Sequence, residues 1–364
     1  MSVGTVLLVA AGLTVLAAGG EILVRGAAGL ARTLGMPSLV VGLTVVSFAT
    51  STPELAVSVD SILSGAPGIA VGNVVGSNIA NILLVLGAAA LVVPLTVRSR
   101  LVRVDIPVMV AISVLLLVVA LDRTINRLDG ALLLVALIGY VTLIVAIARR
   151  RPGPLPRRSL EPSCARHPAI HVLFVAGGVA MLVFGARWLV TGATEVASWL
   201  GVSDLVIGLT VVAIGTSLPE LATSVVAVVR SQRDMAVGNL VGSNVFNIGS
   251  VLGITAVVAP DGIPVDRAAL WFDLPVMLAV ALVLLPIAFT ALAVARWEGA
   301  LFLVFYAAYI AYLVLDATGH DALDAYNTVM LGFVIPITAL WLVLLVVHEI
   351  GRRRRRREAV TRGR

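Results

Sequence analysis

Two glutamates stand where a glutamate is costly. Glu54 and Glu220 each lie near the middle of an apolar stretch long enough to cross a bilayer, and an ionisable side chain at that depth costs ~2.5–3.5 kcal/mol on insertion scales. A chain that meets this cost twice, in matched surroundings, points to a functional charge: paired carboxylates in a dry site can hold a cation or load protons. Each glutamate follows a proline, Pro53 or Pro219. Proline lacks the backbone N–H and clashes with the carbonyl four residues back. The carbonyls around Ala49 and Thr50, and around Gly215 and Thr216, are thereby released. Released carbonyls at membrane depth are tolerated where they line a cavity, and there they bind cations.

Hydroxyls and amides accompany the carboxylates. Ser47, Thr50, Ser51, Glu54 and Ser58 fall on one helical stripe at steps of three and four, matched by Ala213, Thr216, Ser217, Glu220 and Ser224. A second polar stripe, Asn73, Ser77 and Asn81, is matched by Asn239, Ser243 and Asn247. Ser58, Ser224, Asn78 and Asn244 read as hydrogen-bonding links between helices, and Gly72, Gly76, Gly238 and Gly242 as small-xxx-small packing. Every candidate ligand is an oxygen. His167, His171, His320, His348 and the single cysteine, Cys164, lie outside these stripes, which disfavours transition metals that prefer nitrogen or sulfur. A flexible oxygen cage with two negative charges suits calcium, which takes roughly six to eight oxygens, better than the strictly octahedral magnesium. The same oxygens could hold sodium, and the carboxylates protons.

The elements that position these residues are membrane helices. The 364 residues are 60% apolar and 13% charged with a mean hydropathy of +1.07, too much apolar surface for one soluble core. Spans are predicted near 3–29, 38–63, 68–94, 104–121, 129–149, 170–197, 204–229, 235–259, 270–290, 298–316 and 327–348. The first lacks the basic flank of a signal peptide and has an internal counterpart, so it counts as a span. All 26 basic side chains are arginine. With the N-terminus outside, 21 arginines fall in inward loops and the tail and 3 (Arg123, Arg127 and Arg267) in outward loops, so the positive-inside rule places the N-terminus outside and the C-terminus inside. The high pI and the arginine run 352–357 could suggest nucleic acid, but topology and contact with anionic lipid account for them. The expected partners are calcium, sodium and the bilayer, with no nucleic acid, protein partner or cofactor indicated.

The sequence is also duplicated. Residues 42–58, GLTVVSFATSTPELAVS, recur at 208–224 as GLTVVAIGTSLPELATS, and 71–81, VGNVVGSNIAN, recur at 237–247 as VGNLVGSNVFN, both at an offset of 166 residues. Leu23, Gly26 and Gly35 match Leu189, Gly192 and Gly201 upstream. Two repeats of five spans each, 1–149 and 170–318, are joined by a cytoplasmic connector, 150–169. An extra C-terminal span (319–350) and a basic tail (351–364) follow. An odd number of spans per repeat inverts the second repeat in the membrane, an arrangement used by secondary transporters. The fold class is therefore an all-α polytopic membrane protein with two inverted repeats.

Duplicated TSxPE and GNxxGSNxxN motifs over residues 1–318 resemble the alpha repeats of the sodium/calcium exchanger family of cation/calcium antiporters, in their prokaryotic form. The resemblance implies a ten-helix core that exchanges calcium for sodium by alternating access in a prokaryotic-type plasma membrane, with sliding of the first and sixth helices. It implies calcium ligation by Glu54 and Glu220, oxygens from Thr50, Ser51, Thr216 and Ser217, sodium sites joined by Ser77 and Ser243, and carbonyls from Ser47 and Ala213. Asn247, opposite Asn81, stands where many relatives carry aspartate; the amide removes a titratable charge and disfavours potassium cotransport. A proton/calcium antiporter and a cation channel are the competing readings. An intramembrane enzyme is not supported, since neither HExxH nor GxSxG occurs. Outside the site, Glu21 and Arg25 are expected to pair at i,i+4, and Asp105 and Asp273, each two residues before a proline, are expected to cap helices.

Overall fold

A computed structural model of the chain describes residues 3–65, 67–150, 168–202, 213–289 and 292–345, with residues 207, 210, 211, 347 and 351. Ten helices among the described residues are long and apolar enough to cross a membrane: α1 Val3–Thr33, α2 Ser38–Leu63, α3 Gly68–Val92, α4 Leu101–Val119, α5 Arg127–Arg150, α6 Pro168–Trp199, α8 Arg233–Val258, α9 Ala269–Phe289, α10 Arg296–Thr318 and α11 Ala322–Leu345. The expected seventh span appears as α7, in two pieces, Ala213–Thr216 and Leu218–Val229; most of its first half lies outside the described residues. So do most of the connector and the arginine tail. The chain is an all-helical integral membrane protein. Gly35 and Gly201, matched in the repeat, take φ of +63° and +80° and stop α1 and α6 in the left-handed conformation glycine adopts without a Cβ penalty.

Two short strand pairs show how the repeats are related. β1 (Leu95–Thr96), between α3 and α4, pairs antiparallel with β4 (Ala293–Val294), between α9 and α10. β2 (Thr124–Ile125), between α4 and α5, pairs with β3 (Ile263–Pro264), between α8 and α9. Loops that pair must share a side of the membrane, and both pairs are separated by an even number of spans. In the repeat, β1 corresponds to β3 and β2 to β4, so each sheet is the image of the other at the opposite end. That is the signature of inversion.

Among the described residues, helices α1 and α6 form the most extensive contact in the bundle. Gly12, Gly19 and Gly26 recur every seventh residue, as do their repeat mates Gly178, Gly185 and Gly192. A Cβ at Gly12 would lie 2.7 Å from the Leu189 nitrogen, and one at Gly178 would lie 2.6 Å from the Leu23 nitrogen. The backbones touch directly, as small residues permit in membrane helices.

The charged residues outside the centre correct one expectation and extend another. Asp105 and Asp273 do not cap helices: each ends a π-helical turn, Leu101–Asp105 or Ala269–Asp273, that runs on into α4 or α9. With no free helix N-terminus to cap, each carboxylate instead accepts a hydrogen bond from a tyrosine of the next span, Tyr140 at 3.2 Å and Tyr309 at 3.0 Å. Arg100 adds a longer ionic contact to Asp105 at 3.7 Å. Replacing Tyr140 by Phe leaves a buried carboxylate oxygen without its donor, a loss of about 1–3 kcal/mol. The expected result is a lower melting temperature of the purified protein with unchanged calcium affinity, read by thermal unfolding and calcium titration. Glu21 pairs with Arg25 as expected, and it also accepts two hydrogen-bond-length contacts from Arg230 at 2.7 Å, which ties α1 to the end of α7. Arg98 grips Asp234, the second residue of α8, through two nitrogens.

Candidate cation site

The proline in each motif breaks its helix where the glutamate must be displayed. In α2 the break falls at Ser51, with φ −81° and ψ 0°, and the chain restarts at Thr52 with Pro53 in the first turn and Glu54 one residue on. In α7 the break falls at Ser217, with φ −89° and ψ 1°, ahead of Pro219 and Glu220. A helix start tolerates proline because its first N–H groups have no intrahelical partner. The positive end of the restarted helix then faces the carboxylate.

Both glutamates are 0% exposed, and all four of their carboxylate oxygens lack a hydrogen-bond partner. The two side chains repel one another electrostatically. Ser51 and Ser217, three residues ahead of them, are buried with unpartnered hydroxyls; both ends of the Asn81 amide and the oxygen of Asn247 are also buried and unpartnered, on segments that pack against Leu218–Val229 and Thr52–Leu63. Buried polar groups in proteins are nearly always paired, so such a concentration of free oxygens calls for a ligand. Among the described residues no group of three or more His, Cys, Asp or Glu is placed to hold a metal. The charge here comes from two carboxylates, and the other buried, unpartnered polar atoms around them are neutral.

The two repeats interlock at the centre. Thr50 of α2 lies 3.3 Å from Asn239 Oδ1 and 3.3 Å from Ser243 Oγ of α8, and Ser243 in turn donates to Asn239 Oδ1 at 3.4 Å. The Ser47 hydroxyl donates to the Asn239 carbonyl at 3.0 Å and to the Gly42 carbonyl at 2.8 Å. In this conformation the Ser47 carbonyl also accepts from the Ser51 nitrogen at 3.0 Å and from the Thr50 hydroxyl at 3.4 Å. Ser77 donates to the Asn73 carbonyl at 2.5 Å. Thr216 is half-buried and Ala213 begins the first piece of α7. The linking roles expected of Ser58 and Ser224 hold: Asn73 donates to Ser58 at 3.0 Å and to the Glu54 carbonyl at 3.1 Å, and Asn239 donates to Ser224 at 3.3 Å. Thr223 was not expected. Its buried hydroxyl lies one turn beyond Glu220 without a partner, but the first repeat has Val57 in its place, so symmetry gave no signal. The π-helical turns that begin at Asn81 and Asn247 were equally invisible in the residue pattern, although such turns gather at functional sites.

Symmetry in sequence is not matched by symmetry in packing. Gly238 and Gly242 press α8 onto α2, where added Cβ atoms would lie 2.7 Å from the Leu39 carbonyl oxygen and 2.2 Å from Ser47 Oγ. Among the described residues, their mates Gly72 and Gly76 meet nothing within 4 Å, and Asn73 between them is half-exposed whereas Asn239 is fully buried. The start of α3, around Gly72 and Asn73, is therefore exposed toward the arginine-poor end of the bundle, while Ser77 and Asn81 further along the stripe are buried. The stripe of α8 is sealed toward the arginine-rich end.

Inverted repeats meeting at broken helices around paired carboxylates define a secondary transporter of cations. The family described as sodium/calcium exchanger protein matches residues 4–146 and 170–315, and the chain belongs to that family. It is 41% identical over 289 residues to the inner membrane protein YrbG of Escherichia coli, covering 78% of this chain and 88% of that protein. It is 33% identical over 342 residues to the sodium/calcium exchanger MaX1 of Methanosarcina acetivorans, covering 83% and 96%. A solved structure of the sodium-calcium exchanger NCX_Mj, soaked with sodium and calcium, superposes with a TM-score of 0.72 at 32% identity, over 85% of this chain and 99% of that one. The chain is thus a transporter of the cation/calcium antiport class.

Proposed function

We propose that the protein exchanges calcium for sodium by alternating access, with Glu54 and Glu220 as the shared charge of overlapping cation positions. The observation that carries this reading is the set of four unpartnered carboxylate oxygens on two wholly buried glutamates. Divalent calcium neutralises both charges at once, and so do two monovalent ions. Thr50, Ser51, Thr216, Ser217, Ser77, Ser243, Asn81, Asn247, Ser47 and Ala213 supply neutral oxygens around them. Ions that compete for the same ligands cannot occupy the site together, which makes exchange obligatory. The fully buried α8 stripe beside an α3 stripe that is exposed only at its start, around Asn73, supports access from one end at a time, as an antiporter requires and an open channel does not.

The arginine-rich end is assigned to the cytoplasm by the positive-inside rule, which places the N-terminus outside and the C-terminus inside. The inner-membrane name of the Escherichia coli relative supports a plasma-membrane location. The test of coupling is calcium uptake into vesicles holding reconstituted protein. An outward sodium gradient is expected to drive accumulation, and collapsing it with a sodium ionophore to abolish it. Uptake that follows a pH gradient and ignores sodium would establish the proton/calcium reading instead.

A further inference from the structure

We infer that Asn78 is a positioning residue that turns the amide oxygen of Asn247 toward the cations. The inference rests on the site reading above, and it follows from the direction of a short hydrogen-bond chain across the repeat boundary. The chain starts at the backbone carbonyl of Asn244, which can only accept. The Asn78 amide nitrogen donates to it at 3.3 Å and also contacts Met277 Sδ at 3.6 Å. Its nitrogen thus committed, Asn78 presents its oxygen at the other end, and the Asn247 nitrogen donates to it at 3.1 Å. Asn247 is then left with its oxygen free, buried and unpartnered.

The two ends of an amide are close to isosteric, so in a dry site only hydrogen bonds decide which end faces a neighbour. The decision matters here because one end attracts a cation and the other repels it. Asn78 is buried and belongs to the first repeat, whereas Asn247 belongs to the second. The matching link between Asn81 and Asn244 is not made: Asn244 donates to Leu240 of its own helix at 3.0 Å, and its oxygen and both ends of the Asn81 amide have no partner. Of the two symmetric amides, only Asn247 is held by its nitrogen with its oxygen left free.

The test is a double-substitution cycle on the full-length purified protein, read by calcium titration and by sodium-driven calcium uptake. Asn247→Ala is expected to weaken calcium binding about tenfold, the equivalent of one good neutral ligand. Asn78→Leu keeps the size of the side chain and removes both hydrogen bonds; it is expected to weaken binding by a similar factor and to raise KM more than it lowers kcat. In the Asn247→Ala background, Asn78→Leu is expected to add nothing, because its effect passes entirely through the amide that is gone. Additive losses would show that Asn78 acts through general packing and would overturn the inference while leaving the site intact. An Asn247→Ala protein with unchanged affinity would overturn it too, and would remove Asn247 from the site. The wider cation reading fails separately, if Glu220→Gln retains calcium binding. Thermal unfolding of each variant with calcium absent identifies a loss caused by misfolding, and Asn78→Asp, which keeps the acceptor facing Asn247, is then the replacement; affinity lost equally in that folded variant would also overturn the inference.

Discussion

Glu54→Gln and Glu220→Gln are each expected to reduce sodium-driven calcium uptake to the level of protein-free vesicles while leaving folded protein in the membrane. Ligand charge tunes calcium affinity over orders of magnitude, so losing one of two carboxylates is expected to weaken binding about a hundredfold or more. Stability should respond in the opposite sense. Both side chains are wholly buried and repel one another, and a glutamine of nearly the same shape removes that repulsion and the cost of burying a charge. The expected signature is therefore an equal or higher melting temperature in calcium-free buffer together with lost stabilisation by added calcium. Retained uptake in either variant would remove that glutamate from the site.

The second large effect separates two glycines that the sequence makes equivalent. Alanine at Gly242 would place a Cβ 2.2 Å from Ser47 Oγ and 2.8 Å from the Leu43 carbonyl oxygen, and backbone contacts of that kind do not yield cheaply. Overpacking costs about 1–3 kcal/mol, and here it also pushes α8 off α2 at Thr50. The expected outcome is a lowered melting temperature and weakened calcium binding. Gly76→Ala meets nothing within 4 Å among the described residues, so stability and calcium binding should stay near the parent values. Under the alternating access proposed above, uptake is still expected to slow, because closure at the other end would pack the start of α3 as α8 is packed here. Equal thermal losses in the two variants would contradict the asymmetric packing, and unimpaired uptake by Gly76→Ala would contradict closure at that face.

Much of this was legible in the residues because the lipid environment makes sequence explicit. Eleven apolar stretches announced eleven helices; ten have helical counterparts within a few residues at their ends, and the seventh is described as Ala213–Thr216 and Leu218–Val229, with much of its start outside the described residues. A duplicated TSxPE motif located the centre, and the burial of Ser47, Thr50, Ser51, Glu54 and Ser58 on one stripe followed from helical spacing alone. Three things were not legible, for different reasons. The capping expected of Asp105 and Asp273 failed because a π-helical turn carried each helix through the residue, and nothing in side-chain type marks a change of hydrogen-bond register. The Arg230 to Glu21 contact joins residues 209 apart with no repeat counterpart, so only the packed structure brings them together. The contrast between Gly76 and Gly242 belongs to a single conformational state, which a sequence shared by all states does not specify.

The glycine seam between α1 and α6 bears on how such a protein avoids short-circuiting its own gradient. Backbones in direct contact at Gly12, Gly19, Gly178 and Gly185 join two antiparallel rods spanning the bilayer closely enough to act as a single bar. The strand pairs meanwhile stitch the remaining halves together at opposite ends of the bundle. A bar that reaches both surfaces cannot retreat from one without advancing on the other. Under the sodium-coupled exchange proposed above, opening and sealing would then be one displacement, leaving no mechanical route to a through-passage that dissipates the gradient.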